Sequence, residues 1–249
     1  MLSRLRRIAK RVILGETNPG PSKPRDPYPG ELHRYEYQKA LFDFAIKPGD
    51  RVLDVGCGTD YFPLATELLD LYLGPTVHRH DAITQFPLPM VLADIHQIPF
   101  KDRTFDFVYC SHVLEHVEDP IRACGELMRI GKRGYIETPT LGKDGLFGWA
   151  KGMHKWHLVQ IANRLCFFEY NERQLEGIRS HVFRDLVLGP DVNSMQPAFF
   201  ENQDFFNVMF LWEGRFSVHV FYLDGRVRTL EAESESQSTS NDHHGSPGN

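Results

Sequence analysis

The residues of this chain whose types and spacing could do chemistry stand at the ends of apolar runs. Arg51-Val52-Leu53-Asp54-Val55-Gly56-Cys57-Gly58 is an apolar run closing on an acid and two glycines. Such a run reads as a buried parallel strand entering a tight turn. Glycine there lets the backbone pass close to a bound ligand, because no side chain intervenes. Asp70 follows Leu68-Leu69, and Asp94 closes Met90-Val91-Leu92-Ala93. Ser111 and His112 follow the run Phe105-Asp106-Phe107-Val108-Tyr109-Cys110, with Glu115 and His116 just beyond. A hydroxyl, two imidazoles and a carboxylate are thus collected within six positions.

A dinucleotide fingerprint requires a third glycine, G-x-G-x-x-G, for close helix–strand packing. Tyr61 occupies that position, so the pattern fails, and no G-x-x-x-x-G-K-[ST] phosphate loop is present. The run Val52-Leu53-Asp54-Val55-Gly56-Cys57-Gly58 instead resembles the first motif of class I S-adenosylmethionine-dependent methyltransferases. The segment Phe105 to Val117 closely resembles the "FD-x-V-x-x-x-x-V-L-E-H-V" stretch of their type 11 subgroup. Asp94-Ile95-His96-Gln97-Ile98-Pro99-Phe100 is similar to a third motif, and Arg133 to Pro139 to a fourth. The resemblance covers residues 31–140 well and the C-terminal part loosely.

The resemblance implies a Rossmann-like α/β fold with a doubly wound, mostly parallel sheet and a C-terminal antiparallel hairpin. It implies S-adenosylmethionine as methyl donor. Gly56, Cys57 and Gly58 would let the chain approach the cofactor, with Asp54 fixing its amino-acid end. Asp94 would bond the adenine amino group, with Ile95 beside the ring, and Ser111 would lie near the methyl group. A ribose diol needs an acceptor-only carboxylate, which stands beyond the second strand. Asp70 is favoured, since a buried strand should precede the acid. Asp81, behind the polar run Thr76-Val77-His78-Arg79-His80, is the alternative. Choosing Asp70 makes the helix after the glycine turn very short, consistent with Pro63. His112-x-x-Glu115-His116 also matches a zinc-peptidase pattern. That site needs two helical histidines, whereas His112 directly follows a strand, so no metal site is expected. His116 reads as a hydrogen-bonded structural residue.

The elements around these residues set the organisation. The 249 residues suit one large α/β domain with additions. A net charge of −5 argues against a general nucleic-acid surface. Cys57, Cys110, Cys124 and Cys166 are scattered, without a C-x-x-C pair, as expected of buried thiols in a reducing compartment. Residues 1–30 comprise a basic amphipathic helix over 1–14 and a Pro/Gly-rich arm. Such a helix suits an anionic membrane surface or a targeting segment. Residues 31–140 form the expected cofactor-binding core, with helices over 31–46 and 120–130. Residues 141–204, rich in Trp149, His154, Trp156, His157, Phe167, Phe168 and Tyr170, are expected to be an insertion covering the site. A second small core is the other reading. Residues 205–230 are expected to be a β-hairpin completing the sheet, and 231–249 a disordered acidic tail.

The expected activity is methyl transfer to a small-molecule, lipid or glycan acceptor, with no nucleic acid partner. His112 and His157 are the candidate bases. A cytoplasmic protein, peripheral at the inner face of a membrane, fits the N-terminal helix. The alternatives are an inactive methyltransferase-like binding protein and a membrane-peripheral scaffold.

Overall fold

The computed structural model describes residues 34–74, 88–148, 152–171, 182–189 and 193–232. The expectations for residues 1–30, for Asp81, for Trp149 and for the tail beyond residue 232 lie outside the described residues.

Five short strands build a parallel sheet: β1 (Val52–Val55), β2 (Glu67–Asp70), β3 (Met90–Leu92), β4 (Phe107–Ser111) and β5 (Arg133–Pro139). They lie in the order β3-β2-β1-β4-β5. The chain therefore runs outward from β1 to β3 and returns to β4 beside β1. That reversal is the switch point at which open α/β sheets hold ligands. Every residue of β1 and β4 is buried, because both faces of the sheet are covered. Such strands read as continuous apolar runs, which is why the sequence announces them.

The two faces carry different side chains. On one, Phe44, Phe62, Phe107, Tyr109 and Tyr135 interlock. The Phe62 and Tyr109 rings stack at 4.2 Å between centroids. Helix α1 (Arg34–Leu41) belongs to this side, and its Gln38 is fully buried. On the other face Leu53, Val55, Val108, Cys110 and Ile136 pack against α2 (Pro120–Ile130). Asp119 caps α2, its Oδ1 accepting the Arg122 N–H at 3.2 Å, and Pro120 supplies the fixed φ of a first helical turn.

Beyond β5 the chain forms α3 (Leu141–Phe147) and an antiparallel pair, β6 (Trp156–Gln160) and β7 (Arg164–Glu169). Among the described residues beyond β7 there are three short helices: α4 (Val182–Leu188), α5 (Met195–Phe200) and α6 (Gln203–Phe206). Strand β8 (Asn207–Glu213) then joins β5 antiparallel and completes a six-stranded sheet. Strand β9 (Ser217–Phe221) pairs instead with β7, and β10 (Val227–Leu230) with β9. The second sheet is thus β10-β9-β7-β6. Its Leu158, Leu165, Phe167, Val218 and Val220 share a core with α2. The helix is held between two sheets.

The fold class agrees with the expectation, while several details differ. The terminal pair is not a hairpin within one sheet: β8 and β9 belong to different sheets. Phe216, fully buried between them, packs against Trp212 and Phe210 and turns the chain into the second layer. The aromatic stretch after residue 141 does not simply cover the site, since β6 and β7 make this second core. No helix follows the glycine turn. Residues 56–66 form turns only, with Phe62 inserted into the aromatic core. Helix α1 stops at Leu41, before the expected 46, because Phe44 leaves it to enter the same core. The Arg133 guanidinium holds that exit, donating to the carbonyls of Phe44 and Ala45.

The four cysteines are buried and unbridged. Burial pushes the Cys110 and Cys124 thiols far above their ordinary range, so they behave as small apolar groups. No described helix is long and apolar enough to cross a membrane.

Candidate active site

The glycine turn sits at the carboxyl end of β1, as its sequence predicts. Gly56 (φ +72°) and Gly58 (φ +58°) adopt the left-handed conformation. A Cβ on Gly56 would come within 2.3 Å of Val113 Cγ2, so only glycine fits. A Cβ on Gly58 would project into open space, with nothing within 4 Å. The Gly56 and Cys57 N–H groups both donate to the Leu69 carbonyl, at 2.7 and 3.3 Å, which ties the turn to β2.

Asp70 closes β2 and is buried. Its Oδ2 accepts the Gly58 N–H at 3.1 Å and its Oδ1 the Tyr72 N–H at 3.1 Å. Asp54 is buried in β1, with Oδ2 accepting the Phe62 N–H at 2.7 Å. Burial pushes its carboxyl up to about 7, against that hydrogen bond and the Arg34 charge. Asp94 lies two residues past β3 and is half exposed. Its Oδ1 accepts the His96 N–H at 2.8 Å and faces His96 Nδ1 at 2.6 Å, which holds the carboxyl below its ordinary value. His96 Nε2 accepts the Asp119 N–H at 3.1 Å, so the imidazole proton is on Nδ1 and points at Asp94. Ile95 is buried beside it. Ser111 ends β4, and its buried Oγ makes no hydrogen bond among the described residues.

A second set of groups lies beyond the ends of β4 and β5, assembled from distant parts of the chain. Glu137 of β5 is fully buried. It accepts hydrogen bonds from Tyr37 OH (2.5 Å), Tyr135 OH (2.5 Å) and Gln38 Nε2 (3.0 Å). Burial alone would raise its carboxyl, but His112 and the tyrosine hydroxyls outweigh that and hold it down at about 2. His112, itself left-handed at φ +57°, places Nε2 3.3 Å from Glu137 Oε1 and Nδ1 3.3 Å from Glu115 Oε1. Both ring nitrogens therefore face carboxylate oxygens. Helix α3 adds Lys143 and Asp144, both buried. Lys143 Nζ donates to Asn207 Oδ1 at 2.7 Å, and burial brings its ammonium down to about 8. Asp144 Oδ2 faces His154 Nδ1 at 2.8 Å and accepts the Tyr170 hydroxyl at 2.6 Å.

The sequence-predicted residues are thus divided. Asp54, Gly56, Cys57, Gly58 and Asp70 come together at the β1–β2 end. Asp94 and Ile95 follow the neighbouring strand β3. Ser111 and His112 stand at the end of β4. His157 is elsewhere: it lies on β6, stacked on Phe168 at 5.1 Å, with a buried Nδ1 that makes no hydrogen bond among the described residues. Burial lowers its ring below the ordinary histidine value. It lines an open cleft of about 610 Å³, with Leu41, Phe42, Thr140, Asn207 and Met209. The cleft does not include the glycine turn, but reaches the polar set through Asn207, the partner of Lys143. Sequence reading missed Glu137, Lys143, Asp144 and Tyr37. The one available signal was an acid placed inside the apolar strand Tyr135-Ile136-Glu137-Thr138.

The profile of a methyltransferase domain matches residues 31–180. An uncharacterized methyltransferase of Schizosaccharomyces pombe is 30% identical over 131 residues, 44% of this chain and 47% of that protein. A ubiquinone/menaquinone biosynthesis C-methyltransferase of Ruegeria is 26% identical over 69% of this chain and 74% of its own length. The chain spans about half the length of several curated relatives it matches. A solved Haloferax volcanii complex of the Trm112 methyltransferase activator with a methyltransferase aligns at 15% identity, over 74% of this chain and 91% of that one, with a TM-score of 0.46. Since the matched segment covers more than half of its length and carries the glycine turn at the switch point, the chain belongs to the methyltransferase-domain family.

Proposed function

We propose that this protein transfers a methyl group from S-adenosylmethionine to a small-molecule, lipid or glycan acceptor. The observation that carries the reading is the left-handed Gly56–Gly58 turn at the β1 end. It has open space over Gly58 and a buried carboxylate at the end of the adjoining strand. Those residues fit the cofactor. S-adenosylmethionine supplies, when bound, an electrophilic methyl group on a sulfonium. Asp70 offers carboxylate oxygens to the ribose diol, Asp54 a carboxylate to the amino-acid end, and Asp94 an acceptor to the adenine amino group. Ile95 gives an apolar wall, and Ser111 Oγ a buried polar atom at the end of β4.

Methyl transfer breaks the S–CH3 bond and forms a bond from carbon to the acceptor. The sulfonium becomes a neutral thioether, so no large anion needs stabilising. Holding donor and acceptor in line supplies most of the acceleration, roughly several kcal/mol. His112 is a poor base for this reaction, since both its nitrogens face carboxylates. His157 is the better candidate. Burial favours the neutral form of its ring, and the residue lines the cleft, where a small side-chain rotation would bring an imidazole nitrogen to a hydroxyl acceptor.

Titration with S-adenosylhomocysteine tests the cofactor half of the reading. Micromolar binding is expected, and its absence in folded protein would reject the assignment. Labelled methyl groups traced into fractions of a cell extract test the acceptor half. Label in the small-molecule, lipid or glycan fraction is expected, and label confined to protein or RNA overturns it.

A further inference from the structure

The histidine pair of the His112-x-x-Glu115-His116 motif is not held together by the fold, because the His112 ring is tied between Glu115 and Glu137. A different histidine takes its place. His154, in the turn before β6, brings its ring against His116, with centroids 4.7 Å apart and planes at 79°. One ligand atom from each of Glu115, His116 and His154 lies within 4.8 Å of the others.

Three features distinguish this trio from a chance meeting of polar groups. His116 Nδ1 is 2.9 Å from the Met153 carbonyl, which can only accept, so Nδ1 carries the proton and Nε2 the lone pair. His154 Nδ1 likewise faces Asp144 Oδ2 at 2.8 Å, and the Tyr170 hydroxyl donates to the same oxygen at 2.6 Å. A ring whose Nδ1–H is committed to a carbonyl or carboxylate is the usual form of a metal-binding histidine, with its basicity and orientation set by that partner. The third feature is Glu115 itself. Its side chain is 1% exposed, and Oε2 makes no hydrogen bond among the described residues. Its Oε1 lies 3.9 Å from His116 Nε2, and a cation held by this buried carboxylate would offset the cost of the oxygen left without a partner.

We propose that Glu115, His116 and His154 bind a divalent first-row transition ion of the Zn2+ class. Two imidazoles and one carboxylate favour such an ion over Mg2+ or Ca2+, which prefer oxygen-only shells. Ligand bonds of about 2.0–2.2 Å require the three atoms to draw together by roughly 1 Å, within reach of side-chain rotation. Three protein ligands leave a position open, as in catalytic rather than structural sites. If the methyltransferase reading holds, that position accepts an oxygen of the methyl acceptor and promotes loss of its proton.

Cobalt(II) titration of the purified full chain reads the site directly. One equivalent should produce visible d–d bands, and one equivalent of Zn2+ should abolish them. His154→Ala and His116→Ala should each weaken Co2+ binding at least tenfold, and Tyr170→Phe by a smaller factor. Circular dichroism and S-adenosylhomocysteine binding, unchanged in these variants, would show that the fold and the cofactor site survive. His243 and His244, adjacent histidines of the C-terminal segment 231–249, are the control: the double variant His243→Ala/His244→Ala should bind Co2+ as the parent does. No d–d bands from folded protein overturns the proposal, as does equal affinity in His154→Ala, or loss only in the tail variant. Metal binding without S-adenosylhomocysteine binding would support the ion site and reject the cofactor reading.

Discussion

The two ends of the candidate site are built by different means. The cofactor end is made largely of backbone: residues 54–58, with a carboxylate from the adjoining strand end. Its geometry follows from β1–β2 pairing, through the two N–H groups that share the Leu69 carbonyl. The end at β4 and β5 is made of side chains alone. Tyr37 reaches Glu137 across 100 positions, and Lys143 reaches Asn207 across 64. Three buried carboxylates, Glu115, Glu137 and Asp144, are set there against His112, His154 and Lys143. The first end is rigid because the sheet is rigid. The second holds only if each polar partner is present.

Substitutions separate these two kinds of construction. The largest effect is expected at the second end. Glu137→Leu strands the Tyr37, Tyr135 and Gln38 donors and the His112 ring in a buried site, at a cost of about 3–5 kcal/mol. Urea denaturation measures this, and a loss under about 1 kcal/mol would mean the network is not structural. Gly56→Ala comes next. The strained φ and the clash with Val113 should cost about 1–3 kcal/mol and weaken S-adenosylhomocysteine binding at least tenfold. Gly58→Ala sharpens the contrast. It meets no protein atom, so its stability loss should be only about 1–2 kcal/mol, while binding falls as far as for Gly56→Ala. Equal binding by Gly58→Ala and the parent would move the ligand off this turn. Asp70→Ala should weaken binding by about 10–100-fold, or about 1.4–2.8 kcal/mol, with Asp81→Ala unchanged. The reverse pattern would put the diol partner in the segment after β2.

The same division explains what was legible in the sequence. Strands β1 and β4 are buried on both faces, so their apolar runs are continuous, and the turn after β1 can be made only with glycine. Asp70 is placed correctly at a strand end because an apolar pair precedes it. Asp119-Pro120 marks the start of α2 by local capping alone. The partners of Glu137 are not legible, because Tyr37 and Gln38 look like ordinary residues of an amphipathic helix. Helix α3 is equally opaque: Lys143 and Asp144 suggest an exposed turn, yet both are buried. The split of β8 from β9 is hidden as well. Two apolar runs around Glu213-Gly214-Arg215 read as a hairpin, and only the packing of Phe216 beneath Trp212 sends them to different sheets. In His112-x-x-Glu115-His116 the two histidines of the motif do not pair in the fold, since the ring that meets His116 is that of His154, 38 positions later.

The cofactor end carries one side chain whose charge depends on what it meets, and this gives the smallest of the expected effects. Burial holds the Asp54 carboxyl at about 7, whereas an unburied aspartate sits near 3.8. Between those values the folded protein without ligand keeps a proton that the unfolded chain has lost. Its stability from this group therefore falls as pH rises from about 4 to about 7. The ammonium of the cofactor's amino-acid end favours the carboxylate, so binding expels that proton. S-adenosylhomocysteine should bind more tightly as pH rises toward 7, with little further gain above it. Calorimetry at pH 6 in buffers of different ionisation enthalpy should show close to one proton released per ligand, and almost none at pH 8. Asp54→Asn should bind more weakly and lose the pH 6 proton release. If that release persists in Asp54→Asn, the proton belongs to another group, and the amino-acid end is held elsewhere than at the end of β1.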